Sequence, residues 1–156
     1  MIRIRPYRPT DAPELSDLFH RAVHEGAARF YTAAERTAWA PPDAPGPDWA
    51  DRLGAEITLV AETTHLAPAG FMTLGRDGHL DLAYVHPQAM VTGVAAALHD
   101  RMLGIARDLG HTRLDTEASH LARRFFLRQG WTDHGAQQVI RHGVTLTNFR
   151  MEKRLA

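Results

Sequence analysis

Two residues with proton chemistry, His79 and Asp81, stand in the stretch HLDLAYV, which ends at Val85 and is followed by a glycine-led helix. Imidazole titrates near neutrality, so His79 is suited to taking a proton from a substrate. Asp81 could act directly, orient His79 or hold a cationic acceptor. The stretch alternates as a strand does, which places His79, Asp81, Ala83 and Val85 on one face and Leu80, Leu82 and Tyr84 on the other. Behind it, Thr92-Gly93-Val94-Ala95-Ala96-Ala97 opens a helix. The first N–H groups of a helix have no partner inside it, and its dipole is positive at that end, so the pair of effects favours phosphate. Gly and Ala let a pyrophosphate approach the backbone. Small residues at a helix start also serve plain close packing, and His79 and Asp81 also suit an exposed sheet face. The surrounding elements have to decide.

Those elements read as follows. Met1 to Arg5 alternates as a short strand. A helix is capped by Thr10 or Asp11, with Glu14 placed for a capping box from Asp11 and with Leu15, Leu18, Phe19 and Val23 as its apolar stripe. A second helix starts at Thr32, with Glu35 three residues on, and carries Trp39. The proline-rich run Ala40 to Pro47 is a rigid loop, and a short helical piece follows Asp48 through Trp49 and Leu53. Ile57 to Glu62, Gly70 to Leu74 and His79 to Val85 are strands, the last two joined by a turn at Asp77-Gly78. The spacing of Val94, Ala97, Leu98, Met102, Ile105 and Leu109 predicts a helix over 92–109, with Gly110 as its cap. Arg113 to Thr116 is a strand, His120 to Gln129 a helix ending at Gly130, Trp131 to His134 a brief strand and Val144 to Lys153 a final strand. The order is β-αα-βββ-α-β-α-ββ, an α/β fold with a mixed sheet.

Composition narrows the function classes. The 156 residues suit one domain, 1–156, with a substantial core. Acidic and basic residues balance at 18 each, giving no electrostatic reason to expect nucleic acid or an anionic membrane. The absence of cysteine excludes disulfides, thiolate metal sites and a cysteine nucleophile, and agrees with a cytoplasmic location. The basic start, MIRIRPYRP, has no apolar run of a signal peptide behind it, and no stretch approaches membrane-spanning length. His20 and His24 have metal-binding helical spacing but no third ligand, so no metal is expected.

Two further motifs carry a resemblance. Val85-His86-Pro87 is followed by Met90-Val91-Thr92-Gly93-Val94-Ala95, and Ala122-Arg123-Arg124-Phe125-Phe126-Leu127-Arg128-Gln129-Gly130-Trp131 comes later, with Thr147 to Lys153 as the closing strand. In this order they resemble the GCN5-related N-acetyltransferases across the whole chain. The resemblance implies a mixed, mostly antiparallel sheet flanked by helices, acetyl-CoA as cosubstrate, and direct attack of a primary amine of a small molecule, amino acid or peptide on the thioester. It implies that Ala83, Tyr84 and Val85 bind the pantetheine arm, with the Val85 N–H facing the oxyanion. It further implies that Met90, Val91, Thr92, Gly93, Val94, Ala95 and Ala96 form the phosphate loop. His79 falls where several relatives place a catalytic glutamate.

Ser119 is an N-cap or a cofactor contact. Tyr31, Trp39 and Glu117 fall near the acceptor, with Phe30 and Trp49 adding to the aromatic cluster. Relatives carry Gln or Arg where this chain has Met90, so phosphate binding would rest on backbone amides, with Arg123 and Arg124 as candidate support. Phe126 replaces a tyrosine that can protonate the leaving thiolate, and phenylalanine cannot. A non-catalytic acyl-CoA-binding or regulatory module on the same fold is the alternative that these two residues favour. The resemblance also admits a homodimer, with the C-terminal strand as its contact.

Overall fold

The computed structural model describes residues 1–155. The strands are β1 Ile2–Pro6, β2 Ile57–Thr63, β3 Gly70–Leu74, β4 His79–Val85, β5 Arg113–Ala118, β6 Thr132–Arg141 and β7 Val144–Arg154. They form one seven-stranded sheet in the order β1-β2-β3-β4-β5-β7-β6. All neighbours run antiparallel except β4 and β5. The helices are α1 Ala12–Arg21, α2 Ala33–Trp39, α3 Trp49–Ala55, α4 Val94–Asp108 and α5 His120–Arg128. Three helices, not two, therefore separate β1 from β2, because the short piece after Asp48 is a full element. Among the described residues no helix is long and apolar enough to cross a membrane.

Strand alternation divides the core. Leu59, Ala61, Met72 and Leu74 pack on the face covered by α4 and α5, with Leu98, Met102 and Phe126. Val60 and Phe71 pack on the opposite face with Leu15, Phe19, Trp49 and Leu53 of α1 and α3. The helical stripe of α4 differs from expectation at both margins. Leu109 is exposed, while His99 is buried and its Nε2 accepts from the Trp131 indole N–H at 2.9 Å. Burial holds the His99 imidazole below its ordinary pKa, which keeps it a neutral acceptor in the core.

The Thr32 capping box forms as expected: the Glu35 N–H donates to Thr32 Oγ1 at 3.1 Å, and the Thr32 N–H donates to Glu35 Oε1 at 2.7 Å. The box expected from Asp11 to Glu14 does not. Asp11 turns back to accept two bonds from the Arg5 guanidinium, each 2.8 Å, and one from the Arg8 N–H at 2.8 Å. A bidentate, charge-assisted pair outcompetes a single helix amide.

The strand at Trp131 to His134 is far longer than expected. It runs to Arg141 and meets β7 through the two-residue turn His142-Gly143, both at positive φ. β7 is thus enclosed between β5 and β6, so the C-terminal strand is not a free edge for dimer contact; β6 is.

Asp11→Asn should lower stability by about 1–3 kcal/mol at pH 7, since hydrogen bonds to charged groups are worth that much where they are shielded. The Arg5 hydrogen bond holds the Asp11 carboxyl below the usual carboxylate range. That stability is present above about pH 4 and is lost as pH falls through the lowered native value. Urea unfolding of both forms from pH 7 to pH 2.5 should show the gap closing on the acid side.

Candidate active site

The site is built on an irregularity in β4. Leu74 pairs with Leu80 but Thr73 pairs with Leu82, so Asp81 is an extra residue, a β-bulge. The bulge reverses the alternation expected from the sequence. Leu80, Ala83 and Val85 pack toward α4, whereas Leu82 and Tyr84 pack toward α1 and α3. His79 and Asp81 consequently share a cavity with Leu82 and Tyr84, not a face with Ala83 and Val85.

The bulge also parts β4 from β5. The two strands pair only at His79–Asp115 and Leu80–Thr116. Two buried threonines satisfy backbone groups at the fork: Thr73 Oγ1 accepts from the Leu82 N–H at 3.0 Å, and Thr116 Oγ1 donates to the Leu80 carbonyl at 2.7 Å. The His86 N–H is turned to the β3 side, donating to the Ala69 carbonyl at 2.8 Å. Strand alternation then aims the amides of Ala83 and Val85 at the open edge.

A cavity of about 330 Å³ lies in front of this edge, walled by Phe19, Tyr31, Trp39 and Tyr84 and floored by Arg52, His79, Asp81 and Glu117. Its aromatic wall is fixed by hydrogen bonds. The Tyr31 hydroxyl donates to the Thr147 carbonyl at 2.7 Å and accepts from the His120 N–H at 3.0 Å, and the Trp39 indole donates to the Tyr84 hydroxyl at 3.2 Å. Tyr31 and Trp39 meet edge to face, with ring centroids 5.3 Å apart. Trp49 belongs instead to the core, its indole N–H donating to the Ala12 carbonyl at 3.0 Å.

The acid–base groups are oriented by partners that the sequence did not reveal. His79 Nδ1 bonds Asp115 Oδ1, and Asp81 Oδ2 accepts from the Arg52 guanidinium at 2.8 and 3.3 Å. Asp81 therefore does not orient His79. Burial pulls the His79 imidazole down, but the Asp115 hydrogen bond and the charges of Asp115, Asp81 and Glu117 outweigh it, leaving the group above its ordinary pKa. Glu117 accepts from the Gln137 amide at 2.9 Å. Asp115 and Glu117 alternate on β5, and that period of two was the signal available in the sequence.

At the far end of β4, Val91 and Gly93 adopt positive φ of 62° and 93° around Thr92. Such a reversal turns successive amides inward into an anion-binding concavity. Gly93 is the residue that permits it at the α4 N-cap. The first bond of α4 runs from the Ala97 N–H to the Gly93 carbonyl at 3.0 Å, so the Val94, Ala95 and Ala96 amides stand ahead of it. Met90 packs by its sulfur against Gly26 in the turn after α1, close enough that a Cβ on Gly26 would lie 3.6 Å away. An apolar anchor therefore occupies the loop's first position.

Comparison with known proteins identifies the family. A family model described as an acetyltransferase (GNAT) domain matches residues 23–153. The chain belongs to the GNAT acetyltransferase family. It is 31% identical over 150 residues to an uncharacterized N-acetyltransferase of Escherichia coli K12, YafP, covering 96% of this chain and 94% of that protein. It superimposes with a TM-score of 0.91 and 30% identity on a GCN5-related N-acetyltransferase from Rhodopseudomonas palustris, covering 97% and 94% of the two chains. The PaiA N-acetyltransferase from Thermoplasma acidophilum, solved with coenzyme A, shares the fold at a TM-score of 0.77 and 16% identity, over 99% of each chain.

Within this GNAT domain several expected contributors are engaged elsewhere. Arg123 is paired with Asp133 at 2.7 Å and Arg124 lies over the Phe30 ring, so neither is held at the phosphate loop. Phe126 is 1% exposed and packs at a tilt against Trp131, ring centroids 4.8 Å apart, which places it in the core without a surface for ligand. Ser119 caps α5, its Oγ accepting from the Ala122 N–H at 3.1 Å, and also borders the cavity. His20 and His24 pin the proline-rich loop, bonding the carbonyls of Ala44 at 2.6 Å and Ala40 at 2.8 Å.

Two measurements check this site. Gly93→Ala meets only ordinary contact with Ile2, so its cost is backbone strain alone. Thermal unfolding should show a loss of about 1–2 kcal/mol, and calorimetric titration should show weaker coenzyme A binding. Asp115→Asn should lower the His79 pKa, read from its imidazole resonances. With the raised value, the stabilising effect of His79 is complete below about pH 6.5 and fades as pH rises through the native value; the variant should lose that dependence.

Proposed function

We propose that residues 1–156 form one acyl-CoA N-acyltransferase domain that moves an acetyl group from acetyl-CoA to a primary amine of a small molecule, amino acid or peptide. The observation that carries this reading is the open β4 edge, with the Ala83 and Val85 amides facing the gap and the His79–Asp81 cavity directly in front. The pantetheine arm would lie along that edge and its pyrophosphate would meet the Gly93 to Ala96 amides. The Val85 N–H would face the carbonyl oxygen as charge develops on it. Structural neighbours of the same fold that hold acetyl-CoA or coenzyme A support that choice of cosubstrate.

On the acceptor side, Asp81 and Glu117 attract a cationic amine and the Tyr31–Trp39 wall favours an apolar body beside it. The amine must shed a proton before it attacks, and His79 and Asp81 are the groups placed to assist. The amine nitrogen then bonds the carbonyl carbon, and the C–S bond breaks with its electron pair leaving on sulfur. Phe126 lies in the core and offers no proton, so the thiolate departs as such and takes up the second nitrogen proton directly or through water. The same proposal places the protein in the cytoplasm, and leaves a homodimer the two free sheet edges, β1 and β6, for contact.

Met90, apolar at the first position of the loop, favours a second reading, a module that holds acyl-CoA without turning it over. Thermal shift with acetyl-CoA and with coenzyme A, followed by thiol release across a panel of amines, separates the two. The enzyme reading expects a shift and thiol release; a shift with no release from any amine favours the module. His79→Ala and Asp81→Ala should each lower turnover by about 100-fold or more with the acetyl-CoA shift preserved. Unchanged turnover in both would remove them from the mechanism.

A further inference from the structure

Behind Asp81 stands a second carboxyl that the reaction above does not use. Glu56 lies between α3 and β2, partly buried, and its Oε1 is inaccessible to solvent with no hydrogen-bond donor. An ionised carboxylate oxygen left that way is costly. Glu56 directly precedes β2 on the face of Thr58, whose register runs through Thr73 to Leu82 beside the Asp81 bulge, and the Glu56 and Asp81 carboxyls meet there as hydrogen-bonding groups. The bond needs a proton, because two carboxylates have only acceptors to offer. Arg52, 2.8 Å from Asp81 Oδ2, is the ion-pair partner on this side of the pair, so one negative charge is neutralised and a second is not. A single proton between Glu56 and Asp81 balances that charge and lets the two carboxyls hydrogen-bond.

We propose that Glu56 and Asp81 form a carboxyl pair that shares one proton, and that this pair, through Asp81 in the acceptor cavity, receives the proton the acceptor ammonium gives up. The inference rests on the acetyltransferase reading and assigns the base within it. In the forward step the doubly ionised pair takes one proton from the ammonium. The neutral amine bonds the thioester carbon, the C–S bond breaks, and the second nitrogen proton follows the thiolate. The pair then releases its proton to solvent. Glu56 is a positioning residue: it acts through Asp81, which alone of the two borders the cavity.

Burial and the adjoining Asp81 push the Glu56 carboxyl up to about 7, against the Thr73 hydroxyl and Arg52, which favour its charged form. Coupling of this kind gives the pair a near-neutral proton affinity that neither carboxyl has alone. The other charged groups facing it are Asp77, whose Oδ1 borders Gly75 together with Glu56 Oε2, and His79, held by Asp115.

Glu56→Gln tests the proposal, because Gln keeps the shape and donates an N–H to Asp81 but cannot ionise. In the wild type, kcat/KM for an amine found by thiol release should rise with pH around 7. In Glu56→Gln that rise should vanish, with kcat/KM at pH 8 down about 10- to 100-fold and the acetyl-CoA affinity unchanged. Asp115→Asn should keep the rise. A Glu56→Gln profile equal to wild type overturns the inference.

A readout without turnover covers failure of the enzyme reading or of the variant's folding. Carboxyl ¹³C titration of the wild type should find Glu56 ionising near neutrality, and ionisation in the ordinary carboxylate range would overturn the pair. Melting temperatures give the same answer. A raised acid binds more protons in the native state, so wild-type stability falls from about pH 4.5 to 7, and Glu56→Gln should lack that fall. An inactive wild type with Glu56 still titrating near neutrality removes the acetyltransferase reading and the pair's assigned role as base, and leaves only the proton sharing.

Discussion

One added residue in β4 governs the arrangement of everything around it. A strand that bulges cannot stay in register with both neighbours, and here β4 keeps β3 and gives up β5 after two pairs. Its remaining amides and carbonyls on that side face a gap, in the middle of a sheet where such groups are ordinarily paired. The same residue turns His79, Asp81, Leu82 and Tyr84 toward the helices α1 and α3. Backbone donors and titratable side chains thus reach one place from opposite sides of a single irregularity.

A fork in a sheet is held open only if the groups it strands are satisfied locally. Thr73 and Thr116 do so from the two flanking strands, both fully inside the protein. Their apolar neighbours would accept valine by shape, but valine would leave the Leu82 amide and the Leu80 carbonyl without partners. The electrostatic arrangement is equally local. Arg52 comes from α3, Asp115 from β5 and Glu56 from the α3–β2 junction, so three elements fix the charges at the mouth of the gap. The π-helical turn after α1 completes the frame by receiving Met90 against Gly26.

Periodicity in the sequence reveals most of the elements, because strands such as Gly70–Leu74 and His79–Val85 are bounded by turn residues and filled by apolar ones. It does not reveal the bulge. Asp81 falls in a regular alternation, and the extra residue shows only against the register of β3, a property of two strands together. The same limit hid Asp115 and Arg52, whose importance comes from partners 36 and 29 residues away. β6 runs beyond what its periodicity reveals for another reason. Its residues face solvent widely and its turn, His142-Gly143, lacks the usual Asn-Gly or Asp-Gly signature. Thr32, by contrast, was legible because both halves of its cap lie within one helical turn.

The loop before α4 has a consequence for how this protein can change over generations. Gln88 to Ala97 contains no charged side chain, so an anion bound there would meet peptide N–H, present in almost every residue type. Drift at Met90, Thr92 or the alanines alters shape and solubility while leaving those donors in place. Gly93 is different, since its φ of 93° is closed to most residues. Inheritance of the loop's shape is therefore concentrated at its two positive-φ positions, Val91 and Gly93, and side-chain likeness elsewhere across the loop can be lost while the same amides remain.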